Sequence, residues 1–188
     1  MPVDPVWTQL SQHPDLTQEF VLAHSKFPWN WYYVSKHCAM SLEFIETHHK
    51  LPWNWYGVSK NPNLTPEFLE AHVGLPWSWH SLTLHPAITL EFIAKHIKYP
   101  WHDALFTRPD VTVEWVVDHS DIRVDWYLLS MNSTVTPETV FVRYPNLPWK
   151  WGGLSRNPNF TMKIIFTHPD SPWEPLSIEV NPNAMSED

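Results

Sequence analysis

The sequence predicts an all-α solenoid, a single repeat domain over residues 1–188 built of about seven 24-residue helix-turn-helix repeats plus a half repeat. Three observations predict it. Pro28-Trp29-Asn30-Trp31 returns as Pro52-Trp53-Asn54-Trp55 and again as Pro76-Trp77-Ser78-Trp79, a fixed period in the range of stacked repeat architectures. Each period also holds a hydroxyl residue with an acid two places on, the signature of a helix start. The composition, 13 Trp and 19 Pro against only 4 Gly, supplies proline to punctuate many short elements and large rings to fill the seams between them.

Repeats start near residues 5, 29, 53, 77, 101, 124 and 149, with the half repeat from 173. The step from 101 to 124 is one residue short and the step from 124 to 149 one residue long. The first reads as loss of a turn residue before Pro109, the second as an extra residue around Tyr144 to Pro145.

The second half of each repeat predicts a helix of roughly eight residues. The hydroxyl/acid pairs are Thr17/Glu19, Ser41/Glu43, Thr65/Glu67, Thr89/Glu91, Thr112/Glu114 and Thr136/Glu138, with Thr161/Lys163 as the exception. Pro66 and Pro137 occupy the first helical position, where the missing N–H costs nothing. The residue before each cap and the one four after it are both apolar, from Leu16/Val21 to Phe160/Ile165, a hydrophobic staple in all seven copies. Phe20, Phe44, Phe68, Phe92 and Trp115 widen the apolar face, and Gly74, Pro100 or the next Leu-Pro or Phe-Pro is expected to close the helix.

The first half is more ambiguous, because Trp-x-Trp followed by Asn-Pro-Asn also suits the strand of a leucine-rich-type solenoid, which stays open as the alternative. The aliphatic positions Leu10, Val34, Val58, Leu82, Phe106, Leu129 and Leu154 have a Trp three residues before them in six copies, at 7, 31, 55, 79, 126 and 151. The residue two before is mixed and often polar. Apolar spacing of i, i+3 is helical, so a second short helix is expected, ended by turns such as Asn61-Pro62-Asn63 and His85-Pro86-Ala87. Gly57 and Gly152-Gly153 weaken that helix by about 1 kcal/mol each relative to Ala. Two helices of about two turns are marginal alone in water and must stack.

Composition also excludes function classes. A formal charge of −8 argues against a grip on nucleic acid, which requires neutralising phosphates. No run of about 18 apolar residues predicts a membrane span, and the start of the chain lacks a basic stretch before an apolar core, so an intracellular, non-secreted protein is expected. One cysteine, Cys38, excludes an internal disulfide framework.

In the string from Leu51 to Phe68, LPWNWYGVSKNPNLTPEF, the chain resembles the short tryptophan-rich tandem repeats of giant nucleocytoplasmic DNA viruses that infect amoebae. The resemblance covers roughly residues 5 to 183 and departs from the pattern at Asp103, Val124 and Thr139. It implies a protein acting in the host cytoplasm or the virion, and supplies no catalytic or ligand residue to carry over.

Six of the twelve histidines, His24, His48, His72, His96, His119 and His168, stand seven residues after a cap, with Arg143 in the remaining copy. Groups there can bond the last helix carbonyls, and a spacing of about 10 Å between equivalent positions is too wide for one metal, so neither a metal nor a cofactor is expected. Protonating all twelve histidines would carry the formal charge from −8 to +4, although capping or exposed histidines titrate without consequence. The recurring serines Ser11, Ser35, Ser59, Ser130 and Ser155 precede turns and are expected to bond backbone, not to attack substrates, so no enzymatic activity is predicted.

A protein-binding scaffold is the expected class, with specificity at the positions that vary within the frame. One set lies between the two Trp positions: Val6, Asn30, Asn54, Ser78, His102, Asp125, Lys150 and, in the half repeat, Glu174. The other follows the second Trp, and its Tyr32, Tyr56, His80 and Tyr127, with Tyr33 alongside, form the candidate binding residues. Polar terminal segments, including Asn183 to Asp188, favour a monomer over an end-to-end assembly, the alternative class. Recognition of carbohydrate by exposed Trp is a third reading.

Overall fold

The computed structural model describes residues 5–184. The end of the predicted polar tail, residues 185–188, lies outside them. Among the described residues there are thirteen α-helices of four to six residues, one 3₁₀ helix, one π helix and no strand, so the fold is all-α and the strand-helix alternative is excluded. The chain forms two compact lobes, one ending at Phe92 and the other beginning at Ile93. Within each lobe, helix pairs stack repeat on repeat.

The second helices are Gln18–Ala23, Leu42–Thr47, Pro66–Ala71, Leu90–Lys95, Val113–Asp118 and Met162–Thr167. They start where expected. Thr17, Ser41, Thr65, Thr89 and Thr112 accept a hydrogen bond from the backbone N–H three residues on. Both staple positions are buried in every copy. The helices are six residues long, not eight, because a C-cap histidine ends them: His24, His48, His72, His119 and His168 place Nδ1 on the carbonyl four residues back, at 2.7–3.0 Å. A carbonyl only accepts, so Nδ1 carries the proton. Gly74 does not close its helix; His72 is the cap.

The first helices are Pro5–Leu10, Trp31–Lys36, Trp55–Val58, Trp79–Thr83, Trp126–Met131, Trp151–Arg156 and Pro175–Ile178. The residue between the two tryptophans is their N-cap. Asn54, Ser78 and Asp125 each accept from backbone N–H groups of the first turn. At these three copies the side chain is committed to capping, whereas Asn30, Lys150 and Glu174 make no side-chain cap bond.

Four recurrent bonds join successive repeats. The first tryptophan of a repeat donates its indole N–H to the carbonyl of the preceding helix C-cap: Trp29 to His24, Trp53 to His48, Trp77 to His72, Trp101 to His96 and Trp173 to His168, at 2.8–3.0 Å. The same indole meets the second tryptophan of the previous repeat edge to face, as in Trp31–Trp53, Trp55–Trp77 and Trp151–Trp173, with centroids 5.0–5.3 Å apart. In several repeats a fully buried serine before the turn accepts the N-cap N–H of the next repeat: Asn30 to Ser11, Asn54 to Ser35, Ser78 to Ser59 and Glu174 to Ser155, at 2.9–3.0 Å.

The fourth bond is a ladder of His and Asn. Asn61 donates to the carbonyls of Ser35, His37 and Met40, and Asn157 to those of Ser130, Asn132 and Val135. Asn181 does the same to Ser155, Asn157 and Phe160. His37 and His85 occupy the equivalent place and put Nε2 on the carbonyls of His13 and Asn61. Their Nδ1 accepts a backbone N–H two residues on, so in this ladder Nε2 carries the proton, opposite to the capping histidines.

The two irregular steps are absorbed by changes of helix type. In the short repeat the first helix is the 3₁₀ turn Asp103–Thr107, which needs three residues per turn against 3.6. The lost residue comes out of the helix, and Arg108 and Asn132 keep the ladder register, with Asn132 donating to the carbonyls of Phe106 and Arg108. In the long repeat the second helix is the π turn Thr139–Arg143, closed by Tyr144 N–H donating to Thr139, five residues back. The extra residue sits inside this turn and not around Tyr144 to Pro145. Tyr144, not Arg143, takes the place of the capping histidine, since its carbonyl accepts the Trp149 indole N–H at 2.9 Å.

Glycine is demanded where helices cross most closely. A Cβ at Gly153 would lie 2.6 Å from the Tyr127 carbonyl oxygen and 2.8 Å from Ser130 Cβ, and one at Gly57 would lie 2.5 Å from the Tyr32 carbonyl oxygen. Overpacking of about 1–3 kcal/mol outweighs the helix propensity of about 1 kcal/mol that alanine adds. Gly153→Ala is therefore expected to lower the urea midpoint. Gly74→Ala, with nothing within 4 Å of the added methyl and no positive φ, is expected to raise stability by about 0.4–1 kcal/mol.

Burial holds the His85 imidazole below its ordinary pKa, against the opposing effect of its bond to the Asn61 carbonyl. A depressed folded value means that the unfolded chain takes up the proton first as pH falls. The His85 contribution is then complete above about 6.5 and is lost as pH falls through the lower folded value. His85→Asn, which installs the ladder residue used at Asn61, is expected to remove this part of the loss. The measurement is the difference between the wild-type and variant urea midpoints at pH 7.5 and 5.5.

Candidate functional site

One place after the second tryptophan, Tyr56, His80 and Tyr127 are exposed and Tyr32 half-buried, whereas Gly152 and Ala104 at the same position are buried. Tyr32, Tyr56 and His80 share this register position in three consecutive repeats of the first lobe. The Tyr32 and Tyr56 rings stack, with centroids 5.7 Å apart and planes at 26°, and Tyr33 packs edge-on to Tyr32 at 4.9 Å. Tyr56 is 46% exposed, while Tyr32 and Tyr33 are half-buried.

Two lysines complete this ridge. Lys36 Nζ lies 5.5 Å from both the Tyr32 and Tyr33 ring centroids, and Lys60 Nζ lies 4.4 Å from the Tyr56 ring. Lys60 also donates to the Tyr56 hydroxyl at 3.0 Å. That bond holds the Tyr56 phenol below its ordinary pKa and the Lys60 ammonium above its own. Among the described residues neither Lys36 nor Lys60 has a carboxylate partner. The pairs Tyr32/Lys36 and Tyr56/Lys60 are both spaced i, i+4, the first within the helix Trp31–Lys36 and the second running from Trp55–Val58 into the turn that follows it.

His80 continues the row in the next repeat. It lies farther along the same row, exposed, and lines a recess of about 330 Å³ with Lys60, Pro62, Leu84 and Pro86. The ridge thus runs from stacked phenols, past an ammonium, into a hollow with apolar walls. Tyr127 belongs to the other lobe and is not part of this cluster. It projects from the helix Trp126–Met131, 37% exposed, at the edge of a recess of about 240 Å³ that also touches Asp103, Arg123 and Lys150.

The remaining candidates have structural partners. The capping and ladder histidines are bonded to backbone carbonyls, and among the described residues no group of three or more His, Cys, Asp or Glu side chains could hold a metal ion. Ser11, Ser59 and Ser130 each donate to one backbone carbonyl and accept one backbone N–H, and Ser35 and Ser155 accept a backbone N–H. The first tryptophans of the regular repeats are buried, between 5% and 9% exposed at Trp29, Trp53, Trp77 and Trp149, which leaves no exposed indole platform at those positions for a sugar. No helix among the described residues is long and apolar enough to cross a membrane. Comparison with protein-family models, curated proteins and solved structures finds no match to this chain.

Proposed function

We propose that the chain is a non-enzymatic repeat scaffold that binds a protein partner, and that the ridge of Tyr32, Tyr33, Tyr56, Lys36 and Lys60 is its contact surface. The observation that carries this reading is the combination of stacked, partly exposed phenols with two cations that have no carboxylate partner, on a chain of formal charge −8. Tyrosine brings large contact area at low entropic cost, and a cationic strip on an acidic molecule selects a partner surface of the opposite sign. On the resemblance to giant-virus repeats, the partner sought is one of the virion or the infected cell. Self-association is a second reading, supported by the apolar side chains exposed at Phe166 (72%) and Leu176 (76%).

Affinity capture from infected amoebae, with the wild-type chain and the variants Tyr56→Ala and Lys60→Glu in parallel, tests the ridge. The expected result is a partner retained by the wild type and at least tenfold weaker with Tyr56→Ala, about 1.4 kcal/mol or more. Its binding should also weaken with salt, since the lysines are exposed. Equal recovery with all three proteins would sink the ridge as the contact surface, and a concentration-dependent mass in light scattering would move the reading to assembly.

A further inference from the structure

The seam between the repeats that begin at 101 and 124 departs from the frame at three adjoining places. Asp103 stands where Trp31, Trp55, Trp79 and Trp151 begin the other first helices, Val124 replaces the next indole, and Arg123 replaces the proline found at 28, 52, 76, 100, 148 and 172. The core of the seam is nonetheless closed. The 3₁₀ turn brings Phe106, 1% exposed, to the place that serine holds elsewhere, with Leu105 buried beside it.

What has changed is the surface outside that core. A recess of about 320 Å³ opens over Tyr99, Trp101, Leu105 and Ile122, and its rim carries Asp103, Asp121 and Arg123. The equivalent recess two repeats earlier, about 450 Å³, is lined by Ile45, Trp55, Phe68 and Leu75. Its Glu46 and His72 side chains face each other at 3.3 Å. In the later recess the two acids and the arginine form no ion pair or hydrogen bond among the described residues. A smaller hollow, sharing Asp103 and Arg123, continues it toward Lys150 and Tyr127.

Opposite charges on one rim that do not satisfy each other leave a carboxylate site and an ammonium site side by side above an aromatic floor. The volume lies at the low end for ligand pockets and admits about one amino-acid-sized group. We infer that this recess binds an aromatic amino-acid residue that carries both a cationic and an anionic group. Its ring lies against Tyr99 and Trp101, its anion pairs with Arg123, and its cation pairs with Asp103 and Asp121. The same chemistry is presented by a free aromatic amino acid and by an aromatic residue between lysine and glutamate in a peptide. The site is separate from the tyrosine-lysine ridge and does not depend on it.

Titration of the ¹⁵N-labelled full chain with L-tryptophan, acetyl-Lys-Trp-Glu-amide and N-acetyl-L-tryptophanamide tests the inference. The expected result is saturable shifts at residues 97–103 and 121–125 with one of the two charged probes, at least tenfold tighter than with the uncharged amide. The tighter charged probe identifies the source as free amino acid or peptide. Asp103→Trp and Arg123→Pro, which install the residues the other repeats carry, should each weaken binding at least tenfold. Arg123→Gln and Asp121→Asn, which keep size and remove charge, give the same reading should either of those variants unfold. No saturable shift up to 10 mM, equal affinity for the uncharged amide, or unchanged affinity in folded variants overturns the inference, whatever becomes of the ridge.

Discussion

A helix of four to six residues consists of little but its ends, and the bond from the Asn and His ladder to the carbonyls of the preceding repeat is what makes such helices tenable. An α-helix leaves its first four N–H and last four C=O groups without internal partners. In Trp151–Arg156 that amounts to nearly every backbone group. Water could satisfy them only on the outside, and the residues that open the turns joining the helices, Asn61 and Asn157, are fully inaccessible. The Asn157 amide therefore answers the Ser130, Asn132 and Val135 carbonyls, Ser130 answers the Lys150 N–H, and the Trp149 indole answers the Tyr144 carbonyl. Each repeat is completed by side chains of the next, so none is a self-sufficient unit.

This arrangement explains why changes of one residue in repeat length are tolerated. The ladder requires that certain residues fall at fixed points in space and does not require a fixed number of residues between them. Tightening one turn to 3₁₀ at Asp103–Thr107 removes a residue, and widening another to π at Thr139–Arg143 adds one. Arg108 and Asn132 on one side, and Tyr144 and Trp149 on the other, remain in their bonding places. Both turns fall where the repeat has lost an aromatic residue, at Asp103 and Thr139, since a helix freed from seating a large ring can change its winding.

Much of the frame was legible in the residues. The period, the Thr and Ser caps, the staples and the placement of tryptophan in the seams all follow from local chemistry that acts within one repeat. The ladder was not legible, because Asn61-Pro62-Asn63 looks like an ordinary turn, and its partners lie 21 to 26 residues away in sequence. The site of the inserted residue was hidden for a similar reason, since counting from the cap selects Arg143 and only the bond from Trp149 identifies Tyr144. At Asn54, Ser78 and Asp125 variation suggested specificity, whereas one capping requirement met by several residue types accounts for it. Of the candidate site, Tyr32, Tyr33 and Tyr56 do cluster, and the i, i+4 lysines were available to a reader who asked what shares a face with each tyrosine.

The same ladder bears on where binding chemistry can reside. Ser, Asn, His and the first tryptophan are committed to backbone in nearly every repeat, so altering them removes partners from buried carbonyls, at about 1–3 kcal/mol for each group left unmet. Freedom is confined to positions that no neighbouring backbone calls on. One such set is the outer row of the first helices, where Tyr32 and Tyr56 stack beneath Lys36 and Lys60. The other arises where the frame itself gave way, because once Phe106 closed the core of the short repeat, Asp103, Arg123 and Val124 no longer had to hold a proline and two indoles in place. Large rings elsewhere in the seams leave little space for charge. At this seam the loss of the rings and the gain of unpaired charges are one structural event, and the recess is its consequence.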